Sequence, residues 1–179
     1  MSAVQIELPQ SPSRALPAAQ AWGVAWTRAR CEKYLADFFA DRHIPCFLPT
    51  VQKRRVYGAR VRVSELPLFS GYVFYDHAQI ARRDVLASGK VAEILLPDDT
   101  LTLARELNAL HTALQVDPAL RESRYGQVGQ PVTVARGPLK GVIGELVRLD
   151  GGSRLVIRVS FLGKAAELEI DEAFIEPDR

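Results

Sequence analysis

The chain is poor in the residues that build metal centres and disulfide frameworks, with two cysteines and three histidines among 179 residues. Cys31 and Cys46 lack the paired spacing of a zinc site or a redox motif, and both read as small buried hydrophobes. Nothing here asks for an oxidising compartment. His43, His77 and His111 each stand apart from any thiol or carboxylate pattern that would make a triad or a metal site. No catalytic residue, metal or cofactor is therefore expected. No apolar run approaches the ~18 residues that read as a membrane span. The first twenty residues have no leading basic cluster and no continuous apolar core, so a secretory leader is not expected and the cytoplasm is. A net charge of +2 is too small to mark a nucleic-acid binder by itself.

What is present falls into stretches of different periodicity. Residues 1–19 are rich in Pro, Ser, Ala and Gln and read as a disordered tail. From Ala21 to Thr27 the alternation of Trp22, Val24 and Trp26 predicts a strand. Thr27 is expected to cap a helix in which Cys31, Tyr34, Leu35, Phe38 and Phe39 form one apolar stripe, ended by His43-Ile44-Pro45. Phe47 to Val56 reads as a strand, Arg60 to Val63 as its antiparallel return, and Tyr57-Gly58-Ala59 as the turn between them. In the strong strand Gly71 to Asp76, Tyr72 and Phe74 share one face, with Val73 and Tyr75 on the other. A short helix over 79–88 closes at Gly89, and Val91 to Leu96 is a further strand. Asp98 or Asp99 caps a longer helix with Leu103, Leu107, Leu110 and Leu114 on one side. The order β-α-β-β-α-β-α predicts an α+β fold over residues 20–116, an α/β sandwich with an antiparallel sheet.

Residues 117–125 are polar and irregular and read as a linker, a loose tether to whatever follows. Beyond them, in 126–179, Val132 and Val134 alternate with polar neighbours. So do Leu155, Ile157, Val159 and Phe161, and then Ala166, Leu168 and Ile170. Asp150-Gly151-Gly152-Ser153 and Leu162-Gly163 are turn signals. Four or five short strands in so few residues predict a small closed β-barrel, because a small open sheet leaves costly edges. A helical hairpin would place Gly141 and Gly144 inside a helix at about 0.8–1.0 kcal/mol each, so strands are expected.

Charge is also unevenly placed. Lys53, Arg54, Arg55, Arg60 and Arg62 put five cations and no acid into ten residues of the predicted hairpin. A basic hairpin suits phosphate contacts, whose energy comes largely from counterion release. The same charges also fit a solvated edge that blocks aggregation.

The run Val132-Thr-Val-Ala-Arg-Gly-Pro-Leu-Lys-Gly-Val-Ile-Gly144 has a readable logic. Gly137 and Gly141 allow backbone geometry that a side chain would block, Pro138 stiffens the turn beside Lys140, and Gly144 lets a strand cross closely. These glycines do not lead a strand into a helix, so they are not a phosphate cradle. The run resembles the KOW motif of NusG proteins and of several ribosomal proteins, and Val159-Ser-Phe-Leu-Gly-Lys164 resembles the segment before the last strand of NusG C-terminal domains. The first part resembles the NusG N-terminal domain through Trp22 and its strand, the helix from Arg30, Phe47-Leu48-Pro49 and Pro67-Leu-Phe-Ser-Gly-Tyr-Val-Phe74. Together the two resemblances cover about residues 20–178. Cys46-Phe-Leu-Pro49 and Ser64-Glu-Leu-Pro-Leu-Phe69 are closer to the operon-specific branch that includes RfaH than to the housekeeping branch.

The resemblance implies a monomeric transcription elongation or antitermination factor, with no membrane role, that bridges the cleft of bacterial RNA polymerase and raises processivity at specific operons. It implies that the clamp helices of the large subunit are bound by Trp26, Tyr72 and Phe74, with Ile94 from the neighbouring strand. Alternating aromatics are equally what a strand packed under helices shows. Arg82 and Arg83 fall where relatives contact the opposite side of the cleft, although the His-Thr-Thr pattern found there in RfaH is missing. Arg28 and Arg30 sit where relatives touch the non-template strand, and the basic hairpin is placed to face upstream DNA. Phe161 and Leu162 match the loop through which NusG touches a small-subunit ribosomal protein or the terminator Rho. Leu162 stands where the housekeeping protein has an aromatic. The competing readings are a housekeeping factor that cooperates with Rho, and a ribosome-associated KOW RNA-binding protein.

Overall fold

A computed structural model describes residues 16, 18, 19, 21–57, 60–123, 129–149 and 151–177. The expected turn at Gly58-Ala59, most of the 1–19 tail and residues 124–125 of the expected linker lie outside the described residues. Of the tail, Leu16 and Ala19 pack against the main hydrophobic cluster. The fold is mixed α and β, with every strand pairing antiparallel. Among the described residues, no helix is long and apolar enough to cross a membrane.

The first sheet contains β1 (Trp22–Thr27), β2 (Cys46–Phe47), β5 (Tyr72–Asp76) and β6 (Val91–Leu95) in the order β2-β5-β1-β6. Helices α1 (Glu32–Ala40) and α2 (Arg82–Ala87) pack on one face and α3 (Thr100–Val116) on the other. On the first face Phe39 stacks on Tyr75 with centroids 4.7 Å apart, among Ala25, Leu35, Val73, Val85, Val91 and Ile94. On the second, Trp22, Val24 and Phe74 meet Leu103, Leu107 and Leu110, the three- and four-residue stripe of α3. Thr27 does not cap α1 as expected. It is the last residue of β1, and α1 begins only at Glu32 with no side-chain cap. The intervening turn is set by Arg30, a non-glycine residue at φ 60. Asp99 does cap α3, accepting from the N–H groups of Leu101 and Thr102 at 3.0 and 2.9 Å.

The strand expected over Phe47 to Val56 divides in two. Leu48-Pro49 ends β2, and β3 (Thr50–Tyr57) leaves the sheet to pair only with β4 (Arg60–Pro67), a two-stranded ribbon of its own. A proline has no N–H for a ladder, so the chain turns out of the sheet there, while its carbonyl accepts from Leu68 N–H at 2.8 Å.

The C-terminal part is a six-stranded sheet in the order β12-β8-β9-β10-β11-β7. Its strands are β7 (Arg121–Glu122), β8 (Gln130–Val134), β9 (Ile143–Leu149), β10 (Gly152–Val159), β11 (Lys164–Glu169) and β12 (Ile175–Pro177). A closed barrel was the expectation; the sheet is open, with β12 and β7 at its two ends. Three and two residues make too short a ladder to close on each other, and Pro177 has no N–H to donate. Strands run through the region where helix was weighed against strand, and Gly144 is required there: a Cβ would sit 2.7 Å from the Val156 carbonyl.

Arg121 and Glu122, inside the expected linker, pair with Glu167 and Ala166 of β11, and Leu120 before them is 1% exposed. Helix α3 packs against β1 and against β10, so a single hydrophobic cluster runs from Trp22 and Phe74 through Leu107 to Leu155 and Ile157. Among the described residues, the least exposed ion pair of the C-terminal sheet joins β10 to β9. The Arg158 guanidinium donates to both Glu145 carboxylate oxygens, at 2.6 and 2.8 Å, and Gly129 N–H donates to the same carboxylate at 2.9 Å.

Two outcomes follow from this packing. Phe74 is fully buried under α3, so Phe74→Ala should lower unfolding free energy by about 3–5 kcal/mol in denaturant titration. Burial disfavours the charged form of Glu145, yet Arg158 and Gly129 outweigh it and hold its carboxyl below the ordinary value. A depressed carboxylate stabilises the fold above its unfolded pKa and loses that contribution as pH falls through its folded one. Glu145→Gln should therefore destabilise the protein near neutral pH, and the gap from wild type should shrink as thermal melts are taken below about pH 4.

Candidate functional site

The four residues expected to form one protein-binding face do not converge. Trp26 and Tyr72 are cross-strand partners on β1 and β5, where opposing side chains share a face. Trp26 is 44% exposed and Tyr72 half-buried. Phe74 shares their face but lies wholly inside the core, near Phe47 with centroids 6.3 Å apart. Ile94 is buried on the opposite face, against α1 and α2. Pairing parity gives the reason: Val24 opposes Leu95 and Trp26 opposes Glu93, which puts Leu95 and Glu93 on the Trp26 side and turns Ile94 away. Sequence reasoning missed Glu93. The alternation of β6 carried the signal, but its parity relative to β1 is fixed only by pairing.

The Trp26 indole is held from below. Thr27 N–H donates to Gly71 O at 2.7 Å, and a Cβ on Gly71 would come 3.3 Å from indole Cδ1 and Nε1. The buried Glu32 carboxylate accepts from Gly71 N–H at 2.7 Å, tying the start of α1 to the same turn. An exposed tryptophan fixed on a sheet in this way is a rigid, amphipathic anchor.

Arg28 and Arg30 are exposed on the turn between β1 and α1. Arg28 N–H donates to Lys90 O at 2.8 Å, which brings Lys90 beside them, its ammonium 5.1 Å from the ring of Tyr34. Neither Lys90 nor Tyr34 was singled out from the sequence, because nothing local joins positions so far apart. Arg82 and Arg83 start α2. Arg82 reaches the Ile94 carbonyl at 3.4 Å, and Arg83 makes an exposed ion pair with Asp84 at 3.5 Å, a contact of small energetic weight.

The β3–β4 ribbon holds Lys53, Arg54, Arg55 and Arg62 exposed, and Arg60 opposes Tyr57 in register. Among the described residues, none of Lys53, Arg54, Arg55 and Arg62 makes an ion pair. Phe161 is exposed, whereas Leu162 packs against the main cluster; both lie in a 3-10 turn over Ser160–Leu162. This turn rests on α3, where Ser160 N–H donates to Glu106 Oε2 at 3.1 Å. In the turn between β8 and β9, Gly137 and Gly141 take φ 79 and φ 85, Leu139 is buried, and Pro138 and Lys140 are exposed.

Burial, aided by Asp37, pushes the Cys46 thiol up to about 11, so it carries no thiolate near neutral pH. Among the described residues, no three His, Cys, Asp or Glu side chains gather as metal ligands do. Among the described residues the surface offers an aromatic anchor and cations with no ion-pair partner, which suit binding to a protein and to an anion. No protein-family model matches the chain, and no curated protein is significantly similar to it.

Proposed function

We propose that this chain is a transcription elongation or antitermination factor of the NusG type, acting as a specialised factor at particular operons. On this reading residues 20–116 are the polymerase-binding unit, residues 126–179 are a KOW module, and the protein works by binding RNA polymerase rather than by catalysis. The observation that carries the reading is Trp26, exposed on a rigid sheet beside its partner Tyr72 and seated over Gly71. Aromatic anchors of this kind dominate protein interfaces. Binding energy given to the closed, elongating conformation of the polymerase shifts its population and raises processivity. The resemblances of Pro67 to Phe74 and of Val132 to Gly144 to NusG segments support the polymerase as partner.

The test is co-purification of the full-length protein with core RNA polymerase. Trp26→Ala combined with Tyr72→Ala should weaken binding at least tenfold, matching hot-spot losses of about 2 kcal/mol or more. The melting temperature should change little, because Trp26 is exposed and Tyr72 half-buried. Undiminished co-purification of the double variant would overturn the assignment of this face.

A further inference from the structure

Strand pairing sets three unlike side chains in one row across the first sheet. Trp26 on β1 directly opposes Tyr72 of β5 on one side and Glu93 of β6 on the other. Directly opposed residues share a face, with Cβ atoms about 5 Å apart. The row therefore runs phenol, indole, carboxylate, with the indole in the middle. Beyond Glu93 no strand continues it, because β6 ends the sheet. Trp26 and Glu93 are both exposed. Two positions along on the same face stand Val24 and Leu95, buried and half-buried, so apolar side chains bound the row toward the core. Among the described residues Glu93 has no ion-pair partner. Lys90, the nearest cation in sequence, holds its ammonium 5.1 Å from the Tyr34 ring. Arg82 reaches the Ile94 carbonyl, and Arg83 pairs with Asp84.

An aromatic face carries negative potential and so does a carboxylate, so the two gain nothing from each other. Glutamate is also among the residues that strands disfavour. What both groups attract is a cation set between them, and tryptophan is the strongest of the aromatic partners. The indole is fixed for such a contact by Gly71, where a Cβ would come 3.3 Å from its Cδ1 and Nε1. We infer that Trp26 and Glu93 form a slot for one arginine side chain of the protein partner. Its guanidinium lies over the indole while its N–H groups fork to the Glu93 carboxylate. Arginine is favoured over lysine because its planar group stacks on aromatic faces and matches a carboxylate with two parallel hydrogen bonds. An ammonium is a more strongly hydrated point charge and gains less from the same slot. Glu93 thereby sets specificity, since a partner surface with an acid in that place meets like-charge repulsion.

The slot rests on strand register, and the identity of its partner rests on the polymerase reading above, so two measurements on the full-length protein keep them apart. In the first, N-acetylarginine amide is titrated while the indole N–H signals of the two tryptophans are followed by proton–nitrogen NMR. The Trp26 signal should shift and that of buried Trp22 should stay in place. The neutral citrulline counterpart should move neither. Glu93→Gln should remove most of the shift, and Glu93→Asp, which keeps the charge, should retain more of it. In the second, binding to core RNA polymerase is titrated. Glu93→Gln should weaken it about tenfold, as the loss of a hydrogen bond to a charged group does, and Glu93→Lys should weaken it further. The melting temperature should hold, because Glu93 is exposed. A Trp26 signal indifferent to arginine, or moved equally in Glu93→Gln, would overturn the slot. Polymerase binding that survives Glu93→Lys but not Trp26→Ala with Tyr72→Ala would overturn it too, with the polymerase reading intact. An arginine-responsive slot in a protein that does not bind polymerase would remove that reading and leave the slot assigned.

Discussion

The structure depends on helix α3 being buried by two partners at once. Its stripe of Leu103, Leu107 and Leu110 lies in the same cluster as Val24 and Phe74 of the first sheet and as Leu155 and Ile157 of the second. A 17-residue amphipathic helix has too little intrinsic stability to hold such a position alone, and tertiary packing of its apolar face supplies it. Leu120 and the short strand β7 continue the same contact past the end of the helix, and Glu106 adds a hydrogen bond to the Ser160–Leu162 turn. The segment that reads as a tether is thus partly structure. The turn holding Phe161 and Leu162 stands against α3, and of these two side chains Phe161 is the exposed one.

Burial on that scale also decides which surface is left over. Once α3 covers Phe74, the same sheet face stays open toward Trp26, Tyr72 and Glu93, which is why an exposed aromatic survives there. Charge follows a parallel division. In the C-terminal sheet Arg148, Arg154, Arg158 and Lys164 each meet a carboxylate of a neighbouring element. In the ribbon Lys53, Arg54, Arg55 and Arg62 meet none among the described residues. The valines there remain exposed because two strands alone cannot enclose a core.

Local chemistry made much of the fold legible. The periods of β1, β5, β10 and β11, the apolar stripes of α1 and α3, and the Asp99 cap all arise from neighbours within a turn or two of each other, so the sequence displays them directly. The strand break at Leu48-Pro49 was missed because the apolar pattern runs across a proline whose missing donor matters only once a ladder is built. The start of α1 was placed too early because Thr27 is a good capping residue by type, while its actual partners belong to the sheet.

Sequence by itself determined that the chain alternates strand and helix in its first part and strand alone in its last, that its cations crowd into one hairpin, and that aromatics share a face of β5. Only tertiary structure decided that the last sheet is open, that Ile94 turns away from Trp26, and that Phe74 is core while Trp26 is surface. The physical reason is the same each time. Periodicity states that side chains alternate, whereas strand pairing and the placement of a covering helix state which side is inside.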